Sequence, residues 1–154
     1  MKFTITERQL RPQFDEEKLQ RLGEEMDTKG QYGLCVEKEK LSTKSLSFLK
    51  DFSHLKTLSI HKVSKDISIL ESLSNLEELA LCGINTAELT FLQNLPNLKH
   101  LWLQGVNLKN WDSIGELKQL KAITFFNLKK ENTFNFLSRL ESLQFISFMN
   151  CKTL

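Results

Sequence analysis

Histidine and cysteine are the residue types in this 154-residue chain best suited to proton transfer, nucleophilic attack or metal binding. Each of these reactions needs partner groups within bonding distance of one another. The histidines are His54, His61 and His100, and they fall in three different units of the periodic pattern described below. Because nearly two units separate His61 from His100, we expect them to share neither a metal ion nor a proton relay.

The cysteines give no sign of a reactive or metal-binding site. Cys35, Cys82 and Cys151 are odd in number and widely spaced, unlike a disulfide framework or a zinc clip. No cluster of His or Arg stands beside Cys35 or Cys82 to activate a thiol. Glycine-rich phosphate loops, His-Glu-x-x-His runs and nucleophile elbows do not occur. The sequence therefore predicts a protein that is not an enzyme and that needs neither metal nor cofactor.

Composition and charge narrow the classes of partner. The chain is 40% hydrophobic and 26% charged, with a formal net charge of +2, as in an ordinary soluble domain. No run of Lys and Arg reaches five residues, so we expect no nucleic-acid partner. No stretch resembles a membrane span or a secretory signal, which together with the cysteine pattern predicts a cytoplasmic protein without membrane contact.

A repeated apolar pattern organises most of the chain. Leu-x-x-Leu-x-Leu, with Ile or Phe at some positions, recurs five times at intervals of 21, 22, 22 and 23 residues. The copies begin at Leu55, Leu76, Leu98, Leu120 and Leu143. A degenerate sixth copy supplies only Leu34 and Val36. The alternation at the end of each copy predicts a strand with one apolar face.

A second apolar series lies between these copies, with apolar residues three positions apart. Its members are Leu46, Leu49, Phe52; Ile67, Leu70, Leu73; Leu89, Leu92, Leu95; Trp111, Ile114, Leu117; and Phe134, Leu137, Leu140. This spacing suits a short 3₁₀ or α turn. Neither strand nor turn can bury its apolar side alone, so the copies must stack into a solenoid with a parallel sheet on one face and turns on the other.

Residues 46–154, about 70% of the chain, resemble the 22-residue class of leucine-rich repeats, which includes the internalins and a nuclear phosphatase regulator. The resemblance implies a right-handed α/β solenoid whose concave sheet contacts a partner protein. One departure concerns the position three residues after the third Leu of each copy, where the family usually has Asn. This chain has apolar residues there, namely Val63, Ile84, Val106, Leu128 and Cys151. The interpretation is that an apolar spine replaces the usual Asn ladder.

The two ends of the chain differ from the middle. Residues 1–33 do not repeat and are predicted to form an N-terminal cap, with a short strand at Lys2–Thr6 and a helix after it. Asp15 is the candidate N-cap of this helix, Glu16 and Glu17 lie in its first turn, and Phe14, Leu19, Leu22 and Met26 fall near helical spacing. Residues 34–154 form the repeat domain, with five to six repeats and no evident C-terminal cap. Three explanations of the uncapped last strand stay open: the chain is cut from a longer repeat array, two copies associate end to end, or the exposed edge is simply tolerated.

Residues that alternate with the core Leu positions should face the concave surface. In the C-terminal half they include several large apolar groups, which predicts a partner-binding patch. The predicted contact residues are Trp102, Phe126, Phe145 and Met149, with His100, Gln104 and Thr124 at the rim and His61 and Glu78 beside it. The alternative is that a cap or a further repeat covers these rings.

Two other interpretations of the function stay open. A narrower one is a bacterial immunity protein or inhibitor that neutralises a toxin or enzyme, and the other is a fragment of a longer scaffold.

Overall fold

The computed structural model describes residues 8–9, 16–41, 45–128 and 134–151, and these residues contain one parallel sheet of seven strands in chain order. The strands are β1 (Arg8–Gln9), β2 (Gly33–Glu37), β3 (Thr57–His61), β4 (Glu78–Cys82), β5 (His100–Gln104), β6 (Ala122–Phe126) and β7 (Phe145–Met149). A single α-helix in the described part of the chain, α1 (Glu16–Thr28), precedes β2. The structure confirms the predicted leucine-rich-repeat solenoid, with the sheet on its concave face.

The strand register places the second apolar position of every copy in one row. Going along the sheet, the row contains Leu34, Leu58, Leu79, Leu101, Ile123 and Ile146, each opposite the next. All of these side chains except the last are buried. Neighbouring repeats therefore share one apolar interior, as the periodicity predicts.

Short 3₁₀ helices form the convex side, at the positions of the second apolar series. They cover Ser47–Asp51, Ile67–Ser72, Thr90–Asn94, Asp112–Glu116 and Asn135–Arg139, and a further one covers Lys38–Lys40. Because a 3₁₀ helix has three residues per turn, residues spaced by three stack on one side of it. The backbone bonds follow the same spacing: Phe52 N–H donates to the Leu49 carbonyl at 3.0 Å, and Leu55 N–H donates to that of Phe52 at 3.0 Å.

The predicted apolar spine lies just beyond the strands. Val63, Ile84, Val106 and Leu128 are buried, and Cys151 is half-buried. The residue before each spine position has a positive φ, at Lys62, Gly83, Gly105, Asn127 and Asn150. The N–H groups of the first four of these residues donate to a carbonyl of the next strand, at 2.8 to 2.9 Å. Backbone bonds thus link neighbouring turns at the residue before each of the first four spine positions.

Helix α1 packs its apolar side onto the first repeat. Leu19, Leu22 and Met26 are buried. The helix stops at Gly30, which has φ +63°, and Gln31 N–H donates back to the Met26 carbonyl at 2.8 Å, as in a Schellman ending. The predicted strand at residues 2–6 and the predicted N-cap Asp15 lie outside the described residues. Strand β1, which pairs with Leu34 and Cys35 of β2, was not predicted.

Aromatic side chains fill the interior of the last repeats. Trp111, Phe125, Phe134, Phe136 and Phe148 contact one another with ring centroids 5.0 to 6.4 Å apart. Phe125 is fully buried and lies at the centre of this cluster. Offset and edge-on ring contacts of this kind stabilise the core beyond simple burial. This aromatic cluster therefore stabilises the last repeats, including strands β6 and β7.

Candidate functional site

The outward side chains of β5, β6 and β7 form three rows across the concave face. Because paired residues of a parallel sheet lie side by side, the rows follow from the register. The first row is His100, Ala122, Phe145; the second is Trp102, Thr124, Ser147; the third is Gln104, Phe126, Met149. Because neighbouring strands are about 4.8 Å apart, each row extends roughly 10 Å across the three strands. The structure thus places the predicted apolar residues on one face of three neighbouring strands.

Two rings form the centre of this surface. Trp102 and Phe126 stack with their centroids 6.2 Å apart and their planes 20° from parallel. Both side chains are half-buried, so one part of each ring is fixed by packing and another part is open to solvent. A ring that is already ordered loses little conformational entropy when it contacts a partner.

The remaining apolar members lie on the outermost strand. Phe145 is 47% exposed and Met149 is 43% exposed, and they lie beside Ala122 and Phe126 of β6 respectively. We define the aromatic patch as Trp102, Phe126, Phe145 and Met149. Its four apolar side chains lie on one face of three neighbouring strands, and Ser147 separates Phe145 from Met149 along β7.

Thr124 does not lie at the rim, where the sequence placed it. Its exposed fraction is 5%, and its side chain lies in the row between Trp102 and Ser147. Ala122 is also buried, at 7%. Ala122 and Thr124 are small, and the larger side chains around them cover them. Thr124 therefore packs beneath these side chains and offers a partner little contact area.

Polar residues flank the patch on the side of the preceding strands. His100 Nδ1 lies 3.1 Å from Glu78 Oε1 across β4 and β5. His61 Nε2 lies 2.8 Å from Ser59 Oγ within β3. Gln104 Oε1 accepts a weak bond from the Cys82 thiol at 3.8 Å. These contacts orient polar groups on β3, β4 and β5, and strand β4 separates His61 from His100 as predicted.

A groove of about 510 Å³ follows the carboxyl ends of the strands, beside the polar flank. Lys62, Gln104, Asn107 and Asn127 line it, and Trp111 forms part of its wall. Amide groups and one ammonium group dominate the polar lining. Gln104 belongs both to this groove and to the third row of the concave face.

Among the described residues, no group of three His, Cys, Asp or Glu side chains is close enough to hold one metal ion. No disulfide joins the described cysteines, and Cys35 and Cys82 are buried. Within the same ranges, no helix is both long and apolar enough to cross a bilayer.

Solved structures with the same fold include two internalins of Listeria monocytogenes. One (inlF) has a TM-score of 0.56 and 21% identity, covering 71% of this chain and 33% of its own. Internalin C2 (inlC2) has a TM-score of 0.54 and 21% identity, covering 75% of this chain and 50% of its own. This chain therefore spans a third to a half of their length, and the likeness concerns the fold alone. The sequence matches no family model and no curated protein.

Proposed function

We propose that this leucine-rich-repeat chain binds a partner protein through its concave sheet, with the aromatic patch as the main contact and without catalysing a reaction. The observation that carries the proposal is the stack of half-buried Trp102 on half-buried Phe126, on a sheet face that also exposes Phe145 and Met149. Tryptophan and other aromatic residues provide most of the binding energy at many protein interfaces, especially where neighbouring groups exclude water.

The surroundings of the patch suit this role. An apolar centre with a polar margin is the usual anatomy of a protein interface. Here the margin consists of His100, Gln104, Glu78 and His61, whose side chains already have hydrogen-bonding neighbours. We expect the rings to provide affinity and the polar margin to select the partner.

The proposal is tested with a partner captured on the immobilised chain and identified by mass spectrometry. Replacing both Trp102 and Phe126 by Ala removes the stack, and we expect binding to weaken by at least about thirtyfold, the effect of about 2 kcal/mol. The dissociation constant is measured by surface plasmon resonance, and circular dichroism checks that the variant keeps its fold.

Tyr32→Ala is the matched control. Tyr32 is 45% exposed, similar to Phe145, but it stands at the entrance to β2, three strands away from Trp102. This variant should bind as the unmodified chain does. Unchanged affinity in the Trp102→Ala/Phe126→Ala variant would reject the patch as the contact surface.

The proposed setting is the cytoplasm. Cysteines that form no disulfide, with Cys35 and Cys82 buried and Cys151 half-buried, suit a reducing compartment. Fractionation of cells that express the tagged chain tests this, and recovery outside the cytoplasm would contradict it.

A further inference from the structure

Strand β7 is the last strand of the described sheet, and its interior-facing residues are less buried than those of β6. Ile146 occupies the same interior row as Ile123, yet Ile146 is 38% exposed and Ile123 is 0% exposed. Phe145 and Met149 on the other face of the strand are exposed as well. Within the described residues, β7 pairs only with β6. Strand β7 thus presents apolar groups on both of its faces.

The edge of β7 that faces away from β6, here called the free edge, pairs with no other strand of the described residues. Phe145 N–H donates to the Lys121 carbonyl, and the Met149 carbonyl accepts from Asn127 N–H, so the odd-numbered residues of β7 point their backbone groups towards β6. Since successive residues of a strand point to opposite sides, Ile146 and Phe148 direct their N–H and C=O groups to the free edge. Charged residues and Pro, which usually protect such an edge, do not occur in Phe145–Met149.

We propose that β7 pairs antiparallel with β7 of a second copy of this chain, about a twofold axis at Ser147. In this register Ile146 lies opposite Phe148 of the second copy, and the two residues exchange both of their backbone bonds. Phe145 lies opposite Met149 of the second copy, on the concave face. Every apolar side chain of the strand therefore meets an apolar side chain, and the interface closes on itself.

Neighbouring registers are poorer. Sliding one strand by two residues keeps the backbone bonds but places either Ile146 opposite Asn150 or Phe148 opposite Gln144. Each slip exchanges an apolar contact for a polar residue. The symmetric pairing about Ser147 is therefore the one that the sequence of β7 favours.

A charge exchange tests both the pairing and the register. Phe145→Lys together with Met149→Lys puts lysines opposite each other twice, so sedimentation equilibrium should give the mass of one chain instead of two. Phe145→Lys together with Met149→Glu puts opposite charges there, and the mass of two chains should return. Within one chain these positions are about 13 Å apart, so they form no pair of their own. A monomeric unmodified chain at high micromolar concentration, or a Lys/Glu variant that stays monomeric while folded, overturns the proposal.

Disulfide trapping provides an independent measurement. In a Cys151→Ser background, Ser147→Cys should crosslink two copies under mild oxidation, because a non-hydrogen-bonded antiparallel pair has its Cα atoms about 4.5 Å apart, near enough for a disulfide. Phe145→Cys and Met149→Cys are matched controls, since each would lie about 13 Å from its own counterpart and should not crosslink. Equal crosslinking at all three positions would indicate random collision. Trp102→Ala leaves this edge intact, so pairing and partner binding can fail separately.

Discussion

At the scale of the residue, the chain takes up the same unusual backbone conformation after each of five strands. Five residues at equivalent positions adopt positive φ, and they include Gly83, Gly105, Asn127 and Asn150, of the types that tolerate this conformation. Lys62 is the exception. The apolar spine position was visible in the sequence, whereas the row of left-handed residues was not, because Lys, Gly and Asn share no obvious pattern.

Gly105→Ala tests this conformational requirement. A Cβ at Gly105 would have no atom within 4 Å, so the variant meets no steric obstacle beyond its own φ of +56°. We expect a loss of about 1 kcal/mol in the free energy of unfolding, measured with urea. Gly105→Asn should lose less, since Asn tolerates this region. Equal losses for the two variants would show that another cause dominates.

Trp111 allows a second prediction at this scale. Its ring stacks on Phe136 with centroids 6.0 Å apart, and its buried Nε1 has no hydrogen-bond partner among the described residues. Trp111→Ala should cost about 3–5 kcal/mol by opening a cavity. Trp111→Phe should cost less than about 1.5 kcal/mol, because an unsatisfied N–H disappears along with the lost volume. Urea unfolding separates the two outcomes, and a Phe variant as unstable as the Ala variant would contradict this assignment.

At the scale of the element, strands and turns could be predicted because each has its own apolar period. The period of two located β3 to β7 and the period of three located the convex 3₁₀ helices. The two-residue strand β1 is too short to have a period, so it was missed. The burial of Thr124 could not be predicted either, because it depends on the size and orientation of the neighbouring side chains.

Helix α1 carries the prediction at this scale, since we propose that it caps the first repeat. Met26 is fully buried, and Met26→Ala should cost about 2–5 kcal/mol. Because repeats contact mainly their neighbours, hydrogen exchange should accelerate first in β2 and in Ser47–Asp51 and least in β6 and β7. Glu24→Ala, on the exposed side of the same helix, is the control and should change little. A uniform acceleration along the chain would contradict a cap with local influence.

At the scale of the whole molecule, the two faces of the stacked strands have different roles: one packs in the core and the other is available to a partner. The interior rows and the aromatic cluster around Phe125 hold the sheet, and the opposite face of the same strands presents the aromatic patch. The members of the patch could be predicted from the sequence, because the alternation of residues along a strand shows which side chains face outwards. The Trp102–Phe126 stack was not, because ring orientation depends on packing between strands.

The two tryptophans provide the most direct test of partner binding through the concave face, since Trp102 belongs to the patch and Trp111 belongs to the interior. The chain is labelled with 5-fluorotryptophan, its two ¹⁹F resonances are assigned with Trp→Phe variants, and the captured partner is titrated in. We predict that the Trp102 resonance shifts or broadens in proportion to the bound fraction, while the Trp111 resonance stays nearly in place. A saturating partner that leaves the Trp102 resonance unchanged would contradict binding through the aromatic patch.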